Sequence, residues 1–287
     1  MISEEMNGFL ERHTTQASKK TSTTVQEERA NLDAFMSTLK IPEGVLIEDL
    51  VLADRPARKY VPAEAKLDRA LLCFHGGGYR VGSLNGYNSF MAHLALACKA
   101  AVYGLDYRLA PEHRYPAALD DAVAAFVELS QTVAPERIML VGDSAGGGLA
   151  LACLLVLKNR GLRGSGAAAL LSAWLDGTAS GESYGDRRAE FQQAMQNYAG
   201  EYPLDDFGIS PLFGDHEELP PLLIQVARDE PLEDDSTQLH VLALDAGVES
   251  RIEIFDSAFH DFQVFTNIPE ARAAISGIGA FFTDVIV

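Results

Sequence analysis

Apolar residues fall into two regimes along this chain of 287 residues. Near the N-terminus, Val25, Leu32, Phe35, Met36 and Leu39 recur at helical spacing. They follow Thr24-Val25-Gln26-Glu27, which has the form of a capping box, and Pro42 and Gly44 close the helix. The stretch before it, Thr14 to Thr24, is rich in Ser, Thr and Lys and reads as a loose connection. After Gly44 the apolar runs become short, β-branched and regularly spaced. They predict strands at 45–52, 57–61, 69–74, 101–106, 137–141, 167–172, 222–227 and 251–255. From the third strand onward, helical patterns separate them at 88–97, 116–130, 145–158, 236–246 and 268–284.

Strands alternating with helices predict an α/β fold with a mostly parallel sheet covered on both faces. The first two strands are close enough in sequence to form an antiparallel hairpin at one edge. One stretch, 174–220, breaks the alternation with a polar Gly/Ser/Arg region, a helical run at 187–198 and a Pro- and Asp-rich segment at 202–213. A connection this long in a compact domain is usually functional. It is expected over the C-terminal ends of the strands, where open parallel sheets bind ligands.

Composition narrows the class. Hydrophobic residues make up 47% of the chain, enough for a sizeable core, and mean hydropathy is +0.01, which suggests neither a disordered nor a membrane class. Asp and Glu number 41 against 23 Lys and Arg, a formal net charge of −18 with a pI near 4.7. Such a surface repels phosphate backbones and anionic headgroups, so neither nucleic acid nor a membrane is expected as a partner. The acidic start Met1-Ile2-Ser3-Glu4-Glu5-Met6 lacks the basic and apolar parts of a signal peptide. Cys73, Cys98 and Cys153 lie singly in apolar segments without metal-like spacing, as buried thiols of a cytoplasmic protein would.

The chemistry concentrates in four places. Gly142-Asp143-Ser144-Ala145-Gly146 fits G-x-S-x-G between a short apolar strand and an Ala- and Leu-rich helix. An ordinary Gly-rich βα turn would look the same, but a strand-to-helix turn this tight needs small residues and lifts the Ser hydroxyl above the sheet. His75-Gly76-Gly77-Gly78-Tyr79 follows the third strand, upstream of Ser144, where an oxyanion loop belongs. Glycines let backbone N–H groups approach a developing alkoxide, and Gly77, Gly78 and Ala145 are the expected donors. His75 itself is expected to be structural. A base must follow a late strand, and of the seven histidines only His260, in Phe259-His260-Asp261-Phe262, has that context. His13 lies in the N-terminal segment, His93 and His240 fall in helical patterns, His113 sits between Glu112 and Arg114, and His216 is in an acidic loop. The acid should follow strand 222–227, where Arg228-Asp229-Glu230-Pro231-Leu232 offers two adjacent carboxylates that spacing does not separate. Asp234 and Asp235 read as caps of the next helix.

With these pieces assembled, the chain resembles the hormone-sensitive-lipase-like family of α/β-hydrolases, especially its small bacterial esterases. The resemblance runs from about Val45 to near the C-terminus. It rests on the two motifs above together with Asp106-Tyr107-Arg108-Leu109-Ala110-Pro111-Glu112, Ser210-Pro211-Leu212-Phe213 and Leu219-Pro220-Pro221-Leu222-Leu223-Ile224. It implies one α/β-hydrolase domain over 1–287, with a cap built from 1–43 and an insertion at about 175–215. The family frame of an acidic residue, Pro or an apolar residue, Leu, any residue and Asp matches Glu230-Pro231-Leu232-Glu233-Asp234, so the implied triad is Ser144, His260 and Glu230. The implied activity is hydrolysis of short-chain acyl esters through an acyl-enzyme, with a small-molecule ester as substrate and no metal or organic cofactor. A homodimer is compatible with the resemblance. Two alternatives share the scaffold. A non-catalytic small-molecule receptor would lack the histidine that is present here as His260, and an amidase or deacetylase would use the same triad.

Overall fold

The computed structural model describes residues 24–286. The expectations for 1–23, a loose connection and the start of a cap, lie outside the described residues. In chain order the helices are α1 (Val25–Met36), α2 (Asn88–Cys98), α3 (Ala117–Leu129), α4 (Ala145–Asn159), α5 (Arg188–Ala199), α6 (Glu233–Asp245) and α7 (Pro269–Val285). The strands are β1 (Val45–Leu52), β2 (Arg55–Pro62), β3 (Lys66–Phe74), β4 (Ala100–Leu105), β5 (Ile138–Asp143), β6 (Ala167–Leu171), β7 (Leu222–Ala227) and β8 (Ser250–Phe255). Every predicted strand forms, with ends shifted by up to three residues.

β1 and β2 pair antiparallel from Val45↔Pro62 to Leu52↔Arg55. The two residues between them, Ala53 and Asp54, have φ of 51° and 60°, the left-handed pair that lets a two-residue turn follow the strand twist. Among the described residues the eight strands form one sheet in the order β1-β2-β4-β3-β5-β6-β7-β8. β2 joins β4 antiparallel, and every pairing from β3 and β4 to β8 is parallel. β5, β6 and β7 are buried along their whole length, which is why they read as continuous apolar runs and not as alternating ones.

The two faces sort by the strand period of two. Leu72, Phe74, Leu140, Ala168 and Ile224 pack with side chains of α3, α4 and α6. Leu71, Cys73, Met139, Val141, Ala169 and Leu223 pack with those of α2 and α7. Each fully buried Leu or Phe contributes roughly 1.5–3 kcal/mol relative to exposure. A one-residue slip in any central strand would exchange its two sets.

The structure departs from expectation in three local ways. The capping box forms, with Thr24 Oγ1 accepting from Glu27 N at 3.2 Å and Glu27 Oε2 accepting from Thr24 N at 2.8 Å. The helix it starts stops at Met36, however, and Leu39 is buried from an i→i+3 turn in which its N–H meets the Met36 carbonyl. α6 begins at Glu233, three residues before the predicted start, so Asp234 and Asp235 lie inside its first turn and do not cap it. Instead they reach into the 172–221 segment. Asp235 accepts from Leu175 N at 2.8 Å, Asp176 N at 2.9 Å and the Tyr184 hydroxyl, while Asp234 accepts from Ser183 N at 2.9 Å. His216, read only as a residue of an acidic loop, is buried with Nε2 3.1 Å from the Pro211 carbonyl. Within the same segment α5 buries Met195, Tyr198 and Ala199.

Candidate active site

β5 ends at Asp143 and α4 starts at Ala145, which leaves Ser144 alone to make the turn. Its φ of 49° and ψ of −119° are strained for a residue with a side chain, by about 1–3 kcal/mol, and the surroundings hold it there. The Ser144 N–H donates to the Leu171 carbonyl at 2.9 Å, and its own carbonyl accepts from Trp174 N at 2.9 Å. The elbow presses so closely on β3 that a Cβ at Gly146 would overlap the Phe74 carbonyl oxygen.

The Gly-rich loop after β3 is fastened from below. Asp143, fully buried at the end of β5, accepts from Gly76 N at 3.0 Å and from the Tyr87 hydroxyl at 2.7 Å. Burial and then the charge of Asp261 push the Asp143 carboxyl well above the usual range. His75 is fully buried, stacks on Tyr107 with ring centroids 4.4 Å apart, and sets Nδ1 2.8 Å from the Gly76 carbonyl. Burial pushes its imidazole down to about 4, so it is neutral near pH 7. Tyr107 also donates to the His75 carbonyl at 2.6 Å. The rest of the 106–112 motif is a clamp in which Arg108 pairs with buried Asp121 and Glu112 meets Arg29 of α1 at 2.8 Å.

Gly77 has φ of +111° and carries a carbonyl that accepts from Arg80 N and Val81 N; a side chain there would meet the Val81 carbonyl. Among the described residues no hydrogen bond is made by the N–H groups of Gly77, Gly78 or Ala145. Beside Gly78, a cavity of about 570 Å³ lies between the loop and α5, lined by Arg80, Ala110, Arg114, Ala194 and Tyr198 among others. Tyr198 stacks on Tyr79 at 3.8 Å and 6°, which fastens α5 to the loop.

His260 comes from the loop after β8. Its Nε2 lies 3.1 Å from Ser144 Oγ across a separation of 116 residues. On the other side of the ring, Nδ1 lies 3.6 Å from Glu230 Oε2. Glu230 is buried and its Oε2 also accepts from the Ser172 hydroxyl at 3.0 Å. Burial pushes the Glu230 carboxyl up, and His260 pulls part of that back. Asp229 is exposed in the left-handed conformation, φ 63°, with its N–H on Glu233 Oε2, so its side chain is not brought to the imidazole. Burial lowers the His260 imidazole, but Asp261 and then Glu230 outweigh it and hold the ring well above the usual histidine range.

The sequence reading gave no role to three residues here, Asp143, Ser172 and Asp261, and read Asp235 only as a helix cap. A usable signal existed for Asp143 alone, a charged residue ending a strand whose other positions are buried and uncharged. Among the described residues no group of three or more His, Cys, Asp or Glu side chains is placed to hold a metal ion.

Comparison with known proteins agrees with this architecture. A family model described as the alpha/beta hydrolase fold matches residues 71–264. The chain belongs to that family. An acetyl-hydrolase of Streptomyces hygroscopicus is 37% identical over 260 residues, covering 87% of this chain and 85% of that protein. An esterase of Acinetobacter venetianus is 34% identical over 236 residues, 78% of each chain. The crystal structure of an esterase from the bacterial hormone-sensitive lipase family superposes with a TM-score of 0.95 at 33% identity over the full length of both chains. Within the α/β-hydrolases the chain is thus a carboxylic ester hydrolase of the bacterial hormone-sensitive lipase group. No helix among the described residues is long and apolar enough to cross a membrane.

Proposed function

We propose that the protein hydrolyses short-chain acyl esters through a Ser144–His260–Glu230 triad and an acyl-enzyme. The observation that carries this reading is the 3.1 Å approach of His260 Nε2 to Ser144 Oγ at a strained strand-to-helix elbow. In the first half-reaction His260 takes the Ser144 proton while Oγ attacks the ester carbonyl. The N–H groups of Gly77, Gly78 and Ala145 then hold the oxyanion, a role supported by their lack of other acceptors among the described residues. His260 returns the proton to the leaving alcohol, and the same groups act on water to release the acid. Glu230, with its Oε2 3.6 Å from Nδ1, favours the tautomer that carries its proton there and offsets the charge of the imidazolium, work for which a buried carboxylate is suited.

The short-chain preference is supported by the named activity of the Streptomyces hygroscopicus relative. We assign the cap to the segment at about 175–215 together with the N-terminal 1–43. Within the described part, the Tyr79–Tyr198 stack and the Arg29–Glu112 pair support this, because each fastens one of these segments to the catalytic loops. A homodimer is supported by the outer edge of β8, which has no partner strand among the described residues, and a reducing, cytoplasmic setting by three buried free cysteines.

Ser144→Ala, assayed with a short-chain nitrophenyl ester, tests the mechanism. Turnover should fall by roughly a million-fold, as when a serine nucleophile is removed elsewhere. Substantial turnover by a folded variant would overturn the proposal.

A further inference from the structure

The catalytic imidazole has two carboxylates, and the second one stands on the wrong side for a triad. Asp261 Oδ2 lies 3.1 Å from His260 Nε2, the same nitrogen that faces Ser144 Oγ at 3.1 Å. We propose that Asp261 is a positioning residue that binds the protonated imidazole in competition with Ser144, and so sets the acid limb of the rate profile. This rests on the reading of His260 as the base.

The contact discriminates between protonation states by simple electrostatics. In the tautomer that serves as base, the proton is on Nδ1 and Nε2 carries a lone pair. A carboxylate oxygen at 3.1 Å then faces that lone pair with no proton between them. In the imidazolium, Nε2 carries a proton and Asp261 Oδ2 becomes a charge-assisted acceptor. Asp261 therefore favours the charged ring, and a lower proton concentration is needed to free the base.

Backbone geometry holds the carboxylate in place. Asp261 has φ of 61° and ψ of 23°, a left-handed conformation that Asp tolerates better than most residues, and it turns the side chain back toward the preceding ring. Its N–H reaches toward the Ser172 hydroxyl at 3.4 Å, the same hydroxyl that donates to Glu230. The side chain is 18% exposed, its Oδ1 is buried without a partner, and its carboxylate accepts no hydrogen bond from any other group among the described residues. The contact with His260 is thus the direct polar contact this carboxylate makes among the described residues.

Other ionisable groups around the ring are accounted for. Glu230 approaches Nδ1 from the loop between β7 and α6 and favours both the base tautomer and the imidazolium. Asp143 at the end of β5 and Tyr87 before α2 both feel the charge of Asp261, and they are hydrogen-bonded to each other. Neither ranks with Asp261 and Glu230 among the charges acting on His260.

Asp261→Asn keeps the shape and the left-handed tolerance and removes the charge. The acid limb of kcat/KM should move to lower pH by about one unit or more, the usual size for a charge in direct contact. An NMR titration of the His260 ring in Ser144→Ala protein, with and without Asp261→Asn, should show the same displacement without turnover. Asp261→Gly, suited to the same backbone conformation, serves if the Asn variant fails to fold. An acid limb and a ring titration that both stay where they are in the parent would overturn the proposal. So would a loss of kcat that is uniform across pH, which is the result of a merely structural role. Failure of the base assignment is read separately, from turnover that survives in a folded His260→Ala variant.

Discussion

Replacing Glu230 by Gln keeps the shape of the side chain and removes its charge. The carboxylate lies 3.6 Å from His260 Nδ1 and is 4% exposed, so water screens the pair poorly. Two unit charges at that separation, at an effective dielectric of about 20, attract by roughly 4–5 kcal/mol, or about three decades of rate if all of it is realised with the imidazolium. The amide can also turn its NH₂ toward Nδ1, which favours the tautomer protonated on Nε2 and disarms the base. In a serine triad that change costs about 10⁴ in kcat. Both routes describe one lost contact and do not add, so kcat should fall by roughly 10³–10⁴ with KM little changed. Folding should not suffer, because Gln avoids the burial cost that pushes the Glu230 carboxyl up. Steady-state hydrolysis of a short-chain nitrophenyl ester and thermal melting of the same preparation measure the two effects. Asp229→Asn is the control, since Asp229 is exposed and Asn accepts its left-handed backbone. A Gln variant within about tenfold of the parent, against the three decades expected, would refute the reasoning. A collapse confined to Asp229→Asn would refute it as well.

Two further variants probe the framework around the site. Gly146→Ala drives a Cβ into the Phe74 carbonyl, where neither backbone can yield, and should cost roughly 3 kcal/mol or more or leave the protein insoluble. An unchanged melting temperature would show that the elbow and β3 can separate. Asp235→Ala strips the acceptor from the N–H groups of Leu175 and Asp176 and from the Tyr184 hydroxyl. The Tyr184 hydroxyl keeps the Asp176 carbonyl as an acceptor, so two donors are orphaned; at about 1 kcal/mol or more for each, the loss should be roughly 2 kcal/mol, lowering Tm by about 4–8 °C. Calorimetry checks this, and a shift near zero would mean that water replaces the carboxylate.

The elements were legible in the sequence because they follow from local periods. Short apolar runs at β5 to β7 separated by helical patterns announced a mostly parallel sheet covered on both faces, whereas the packing of Leu72 and Phe74 on one face of β3 and Leu71 and Cys73 on the other came from the fold. The strand-to-helix elbow was legible too, since steric crowding at Gly146 restricts which residues can stand beside Ser144. Element ends were less so. The start of α6 moved because Asp234 and Asp235, good caps in isolation, found stronger partners in a segment some fifty residues away.

Charges at the site belong to the tertiary structure. Spacing left Asp229 and Glu230 of equal standing and only the family resemblance favoured Glu230; in the fold a left-handed turn at Asp229 accompanies its exposure, while Glu230 lies 3.6 Å from the imidazole. Asp261 likewise looks like an ordinary polar residue until the loop after β8 sets it against His260 Nε2. A period of two or of 3.6 can be read from neighbours in sequence. A carboxylate's effect depends on what lies within a few ångströms of it, and in this protein those neighbours come from loops that the sheet order, not the chain order, sets side by side.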